Sequence, residues 1–377
     1  MNTAKLITGG TILSETITYK CPGCGTVMVF NPDTQMLTCP SCQESCSVNE
    51  YLAKYGTPQT GNYDEPGSYD EPGSYDEPGS YDESGEQPDM KVYHCTSCGA
   101  ELVSDEYTSA TICGFCGNPT LVADRLQGEF KPKLIIPFKL DKDKAVEKFR
   151  AWTHKGLLTP GTLRSESMID KLTGIYVPFW CYDVHSTDSM HGTGLKVERE
   201  DHSDYYYTIT HYFDVAREVS ARFEKIPADA SEKMDDNDMD KLEPFDYSEL
   251  RKFEMPYLSG YLSERYNYTA EEMFDRIYIR TNRYIKDATD KTLTQYSSIT
   301  SRTDSPNSRV TARYYALLPV WMLNYRYNGK DYTFLMNGQT GKIVADRPLS
   351  TGRSVIAFVI TFAVTLIIAM IGGVVLW

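Results

Sequence analysis

The sequence predicts an α+β protein, with two small four-cysteine zinc ribbons ahead of a larger mixed α+β domain that carries an antiparallel sheet, and one transmembrane helix at the C-terminal end. Three observations predict it: paired Cys-x-x-Cys motifs in two copies, apolar patterns of both strand and helix period through the middle, and a final stretch without a charge. At 377 residues the chain has room for two or three domains, and 41% hydrophobic with 24% charged residues describes a globular protein. The formal charge of −14 repels nucleic acid and anionic lipid at long range unless a local basic stripe overrides it.

The ribbons come first. Cys21, Cys24, Cys39 and Cys42 form one quartet and Cys95, Cys98, Cys113 and Cys116 the other, with fourteen residues between the pairs in both. A tetrahedral Zn²⁺ site needs two thiolate hooks on tight turns, and the residues between them form a hairpin that brings the second hook back to the first. The spacing therefore predicts zinc ribbons over 1–56 and 91–130, each holding one Zn²⁺. Gly25, Gly99 and Gly117 follow three of the four pairs, where a turn with positive φ is needed, and Gln43 is the exception. A redox pair or a disulfide framework accounts poorly for the pattern, because one dithiol suffices for redox work. Metal thiolates imply a reducing compartment. Cys46 reads as a bystander and Cys181, inside GIYVPFWCYDV, as a small core residue.

Residues 57–90 read as an acidic, disordered linker, since YDEPGS recurs three times before the degenerate YDESGE. Each unit carries two carboxylates, a proline and a glycine, so it cannot bury a core.

An α+β domain is expected over 131–350. Strands are predicted at 134–140, 174–184 and 309–327, and Tyr207, Ile209, Phe213, Val215, Val219 and Phe223 share one face of a period-two run. Helices are predicted at 141–154, 248–253 and 270–289, the last with Thr269 and Glu272 as its capping box. Asn328-Gly329 and Asn337-Gly338 mark tight hairpins. Residues 176–183 echo residues 317–324, with Pro178 and Trp180 matching Pro319 and Trp321. Two related sheet halves would produce this, and so would two strand entries that each suit a proline before a buried tryptophan.

The helix at 354–377, SVIAFVITFAVTLIIAMIGGVVLW, would be about 36 Å long and so cross a ~30 Å hydrocarbon core. Lys342, Arg347 and Arg353 precede it and no basic residue follows, so the positive-inside rule places the N-terminal body in the cytoplasm of a single-pass membrane protein. Trp377 would then sit at the far interface. The N-terminal residues lack the apolar core of a secretory signal. Thr361, Thr365, Ala369 and Gly373 make a small-residue face that would let two such helices approach as a homodimer.

Catalytic signatures are sparse. His94, His154, His185, His191, His202 and His211 show no helical metal spacing, and the sequence carries neither a nucleophile elbow nor a phosphate loop. The acidic run 232–243 lacks the EF-hand order and reads as a solvated helix start. No catalytic residue is assigned. Were there an enzyme site, Asp183, His185 and His211 would be the first place to look.

IPADASEKMDDNDMDKLEPFDYSELRKF, ALLPVWMLNYRYNGKDYTFLMNGQTGKIVADRP and ELVSDEYTSATICGFCGNPT together resemble a family of bacterial membrane-attached proteins with tandem N-terminal zinc ribbons. Its members are labelled as transcription-factor-IIB-type zinc ribbon proteins or, loosely, after the primosomal replication helicase. The resemblance covers nearly the whole chain and implies architecture and metal sites, not an activity. The repeats within 57–90 depart from the family pattern. A helicase would need a phosphate loop and a Mg²⁺-binding carboxylate motif, and the sequence has neither.

Nucleic-acid binding by the ribbons is the rival reading. Lys5, Lys20 and Lys54 stand against Glu15, Asp33, Glu44 and Glu50 in the first ribbon, and Lys91 and Arg125 against Glu101, Asp105, Glu106, Asp124 and Glu129 in the second. That balance cannot neutralise phosphates. The expectation is a cytosol-facing, membrane-tethered zinc protein that serves as an interaction or scaffold module for a protein partner.

Overall fold

The computed structural model describes residues 14–56, 91–126, 128–201, 203 and 205–375. The repeat linker over 57–90, His202 and Trp377 lie outside the described residues. The architecture is mixed α+β, as the sequence predicts. The first part contains β1 (Ser14–Glu15), β2 (Val29–Asn31), β3 (Met36–Thr38), β4 (Ser45–Cys46) and α1 (Val48–Tyr55), and the second β5 (Lys91–His94), β6 (Glu101–Ser104), β7 (Thr108–Ile112) and β8 (Pro119–Leu121). There follow β9 (Leu134–Ile135), α2 (Lys142–Lys155), α3 (Glu166–Ile169), β10 (Thr173–Asp201), β11 (Tyr206–Asp229), α4 (Asp236–Leu242), β12 (Arg251–Lys252), β13 (Leu262–Glu264), α5 (Phe274–Lys291), β14 (Ser298–Tyr327), β15 (Lys330–Asn337), β16 (Ile343–Ala345) and α6 (Thr351–Val375).

The internal echo has a structural basis. β9-α2-β10-β11 and β13-α5-β14-β15 repeat one β-α-β-β order, and each short opening strand pairs in parallel with the other unit's long strand, β9 with β14 and β13 with β10. β10 and β14 lie antiparallel at the centre, with Tyr176 opposite Pro319 and Pro178 opposite Leu317. Proline has no N–H for a ladder, so a central strand tolerates it only where no neighbour requires one. Pro178 falls after β10 leaves β13 and before it meets β11, and Pro319 falls after β14 leaves β9 and before it meets β15. Both carbonyls are then used alike, Pro178 accepting from Ala230 N at 2.9 Å and Pro319 from Gly338 N at 2.8 Å. The matching indoles reach into the opposite unit, Trp180 Nε1 donating to Tyr268 O at 2.9 Å and Trp321 Nε1 to Leu140 O at 3.0 Å.

β10, β11 and β14 run on past this core as a three-stranded arm. Val184, Ser186, Asp188 and Met190 on β10 face inward, and α5 covers that face with Ile277, Thr281, Ile285 and Thr289. The period-two face of β11 holds from Val215 to Phe223 and fails toward the tip, where Tyr207 and Phe213 are exposed beyond the reach of α5. A periodic pattern records a strand but not where its cover ends.

Local chemistry explains most other elements. Asp141 caps α2 by accepting from Lys144 N. Thr269 and Glu272 make their reciprocal bonds, although the regular helix starts later, at Phe274. Residues 248–253 form no helix: a 3-10 turn, Tyr247–Glu249, gives way to β12, which pairs with β9. Asn328-Gly329 is a two-residue hairpin with both residues at positive φ, whereas Asn337-Gly338 opens a wider turn closed by Asn337 N donating to Lys342 O. The acidic run forms α4, and its carboxylates are not simply solvated: Asp236 and Asp240 pair with Arg276, and Glu243 pairs with Arg280 at 2.7 Å.

The ribbons join the body through backbone. β7 pairs with β13, which puts β7 and β8 in the main ten-stranded sheet. Phe30 N donates to Ser259 O at 2.9 Å, and Ser259 Oγ donates to Met28 O at 2.6 Å. β1 pairs in parallel with β5, and Ile17 bridges to Leu121, so the segment before the first quartet is stitched to the second. One apolar core runs from Tyr19, Phe30 and Leu37 through to Phe138, Tyr176 and Trp321. Among the described residues α6 alone is long and apolar enough to cross a membrane, and no part of its apolar window is buried.

Candidate metal centres

Four knuckles of one design present the eight sulfurs. In each, the amide after the second cysteine donates to the carbonyl of the first: Gly25 to Cys21, Gln43 to Cys39, Gly99 to Cys95 and Gly117 to Cys113, at 2.7–3.0 Å. The chain returns by a second bond, from the amide of Cys21, Cys39, Cys95 and Cys113 to the carbonyl of Thr26, Glu44, Ala100 and Asn118. The turn residue has φ of 76° at Gly25, 63° at Gln43, 76° at Gly99 and 72° at Gly117. Gln43, the exception in sequence, is no exception in conformation. A side chain there bears the left-handed strain that glycine avoids.

The knuckles bring both predicted quartets together. Within each, the four sulfurs lie within 4.8 Å of one another. Bonds of about 2.3 Å to a tetrahedral ion put sulfurs about 3.8 Å apart. Cys95–Cys116 and Cys98–Cys113 are both 3.8 Å apart, and Cys21–Cys42 and Cys24–Cys39 are 3.5 and 3.4 Å apart. These gaps are far beyond a disulfide bond of about 2.05 Å, and the cysteines are free thiols. Each quartet fits a divalent ion with four protein ligands, two buried (Cys21 and Cys39; Cys95 and Cys113) and two toward solvent. Four protein ligands leave no open position for substrate, the arrangement of a structural site.

Protonation follows from the same crowding. Burial, with Glu44 beside it, pushes the Cys21 thiol up to about 12, while the Thr26 hydroxyl and amide draw Cys24 down to about 6. In the second quartet burial would raise Cys95, but the amides of Ser97 and Cys98 hold it at about 7. Thiols of this kind lose protons to an arriving cation. Sequence spacing does not single out Glu44, yet its Oε2 lies 3.2 Å from Cys21 Sγ, a carboxylate against the first quartet with no counterpart in the second among the described residues.

The remaining candidates disperse. Cys46 pairs with Leu37 in a strand, outside the quartet, and Cys181 is fully buried in the core. Asp183 is engaged by Lys225 at 2.8 Å and by the Tyr314 hydroxyl at 3.1 Å. His185 lines a cavity of about 400 Å³ with Asp183, Arg222 and Arg309. His211 sits opposite Lys196, eleven residues further along β10 and so about 36 Å away, next to Glu198. Asp183, His185 and His211 therefore do not converge, because strand register spaces them along the arm. His191 lies opposite Ala216, apart from both.

Fold and sites thus define a class: two four-cysteine ribbons built into a duplicated β-α-β-β body, followed by a long apolar helix. "Uncharacterized protein YdjG" of Bacillus subtilis (strain 168) is 38% identical over 362 residues, covering 95% of this chain and 99% of that protein. The chain belongs to the same family as that protein. No family model matches it, and no solved structure does.

Proposed function

We infer that this is a single-pass membrane protein whose zinc-loaded body faces the cytoplasm and serves as a docking module for a protein partner, without catalytic chemistry of its own. Phe115 carries the reading. It stands between Cys113 and Cys116 with 77% of its surface exposed, and Ile112, one residue before that knuckle, is 43% exposed. A large apolar ring on a turn that an ion would lock is a preorganised anchor of the kind that dominates protein interfaces. All-sulfur ligation favours Zn²⁺ over harder ions such as Mg²⁺ or Ca²⁺. The uncovered apolar window of α6 supports a bilayer as its surroundings, since water would oppose so much exposed apolar surface. The basic residues before that helix favour a cytoplasmic body.

The test replaces Phe115 with a photo-crosslinking amino acid in the full chain, in intact cells, together with elemental analysis of the purified protein. Expected are two Zn²⁺ per chain and adducts with protein. Adducts with nucleic acid would favour the rival reading, and metal-free protein would overturn the zinc assignment.

A further inference from the structure

α2 ends at Lys155, and the chain turns at Gly156 into a loop that meets the start of α6. Leu158 O accepts from Ser350 N at 2.9 Å, and Thr159 O accepts from the Arg353 guanidinium at 2.7 Å. Arg347 lies over the Trp152 ring at 4.9 Å, closing the other side of the junction. The loop is therefore fixed against the first turn of the long apolar helix.

Leu157 is 89% exposed, more than any other large apolar side chain among the described residues, and Leu349 beside the helix start is 63% exposed. Residues 154–164 contain no carboxylate, and residues 346–354 contain one, Asp346. Against it stand Lys155, Arg164, Arg347 and Arg353, in a chain whose net charge is −14.

We propose that the loop 156–162 is a second membrane contact, in which Leu157 enters the headgroup layer while Lys155, Arg347 and Arg353 bind the phosphates of anionic lipids. The occupant is the bilayer because the loop is bonded to the helix that enters it, and because cations gather here in an acidic chain. Apolar insertion and cationic attraction act together at an interface. The contact fixes the tilt of the body, which a single helix would leave free. This rests on the reading that α6 crosses a bilayer.

The experiment uses the full chain with Leu157→Trp, in vesicles of phosphatidylcholine alone or mixed with phosphatidylglycerol, with acyl chains brominated near the headgroup. The native chain supplies the tryptophan background. Expected is added emission that bromine quenches, more strongly with phosphatidylglycerol, and a loss of that enhancement in Lys155→Glu/Arg347→Glu. A chain that floats with the vesicles while residue 157 remains quenchable only by aqueous iodide overturns the loop contact alone. Equal bromine quenching in both lipids overturns the anionic-lipid contact. A chain that does not float overturns the membrane span and this proposal together.

Discussion

Lys233 of the body places its ammonium 2.7 Å from Asp105, a carboxylate in the turn between β6 and β7 of the second ribbon. Glu264 lies 3.0 Å from the same ammonium, and Arg265 pairs with Glu106 at 3.1 Å, so two cations of the body clamp the turn. Burial would raise the Asp105 carboxyl, but Lys233, the Thr108 hydroxyl and the Thr108 amide hold it down at about 2. A depressed carboxylate stabilises the fold above its unfolded value near pH 4, and that stabilisation is lost as pH falls through about 2. The protection of β7 amides, expressed relative to the intrinsic exchange rate at each pH, should therefore fall between pH 4 and pH 2. Lys233→Met should loosen β7 at neutral pH by about 1 kcal/mol and remove most of that acid dependence.

Asp229 has the opposite sign. Burial raises its carboxyl to about 6 in spite of the Arg276 guanidinium 2.8 Å away, which acts in the lowering direction. The folded state then keeps the proton longer than the unfolded chain, so the stability from this group is complete below about pH 4 and lost as pH rises through about 6. The melting temperature of Asp229→Asn relative to the native chain should rise from pH 4 to pH 6 and level off above. A difference that is flat across that window would contradict the assignment.

Gln43→Gly should stabilise the first ribbon by about 0.5–1 kcal/mol, since it relieves a side chain held at φ of 63°. Gly99→Ala and Gly117→Ala should cost the second ribbon a similar amount. Competition for bound metal by a chromogenic chelator reads both signs, with the first variant releasing its ion more slowly and the others faster.

Metal removal should be felt beyond the ribbons. A ribbon read from sequence alone is expected to unfold by itself, but β7 is hydrogen-bonded to β13 and Phe30 to Ser259. Chelation should speed exchange in Leu262–Glu264 as well as in β7 and β8, and Cys39→Ser should do so around Ser259. Exchange confined to residues 21–46 and 95–121 would show that the junctions carry no coupling.

Trp180→Phe and Trp321→Phe should cost similar amounts, about 1–3 kcal/mol each, because each leaves the carbonyl of Tyr268 or Leu140 without its indole donor at equivalent places in the two units. Urea midpoints of the single variants and the double variant would show the equivalence.

The quartets are legible because ligand spacing is written directly into sequence, and Gln43 takes the turn conformation even without glycine. α2, β10 and β14 are legible from caps and apolar runs. The helix expected at 248–253 is not found, because pairing of β12 with β9 outweighs local preference there. The contact of Glu44 with Cys21 is not legible in sequence because only the folded knuckle brings the two together. The separation of His185 from His211 likewise depends on register, which six scattered histidines do not reveal. The duplication shows in sequence at one proline and one tryptophan, yet its exchanged parallel strands, β9 on β14 and β13 on β10, emerge only from pairing.

The bridge from Ile17 to Leu121 and the pairing of β1 with β5 pin the two ribbons to each other on either side of residues 57–90. The described residues before and after that segment are therefore held to each other rather than belonging to independent bodies. Closure entropy grows only with the logarithm of ring size, about 0.6 kcal/mol for each doubling. Gaining or losing YDEPGS units is thus nearly neutral for the fold, which leaves copy number free to drift between strains or to be tuned by selection.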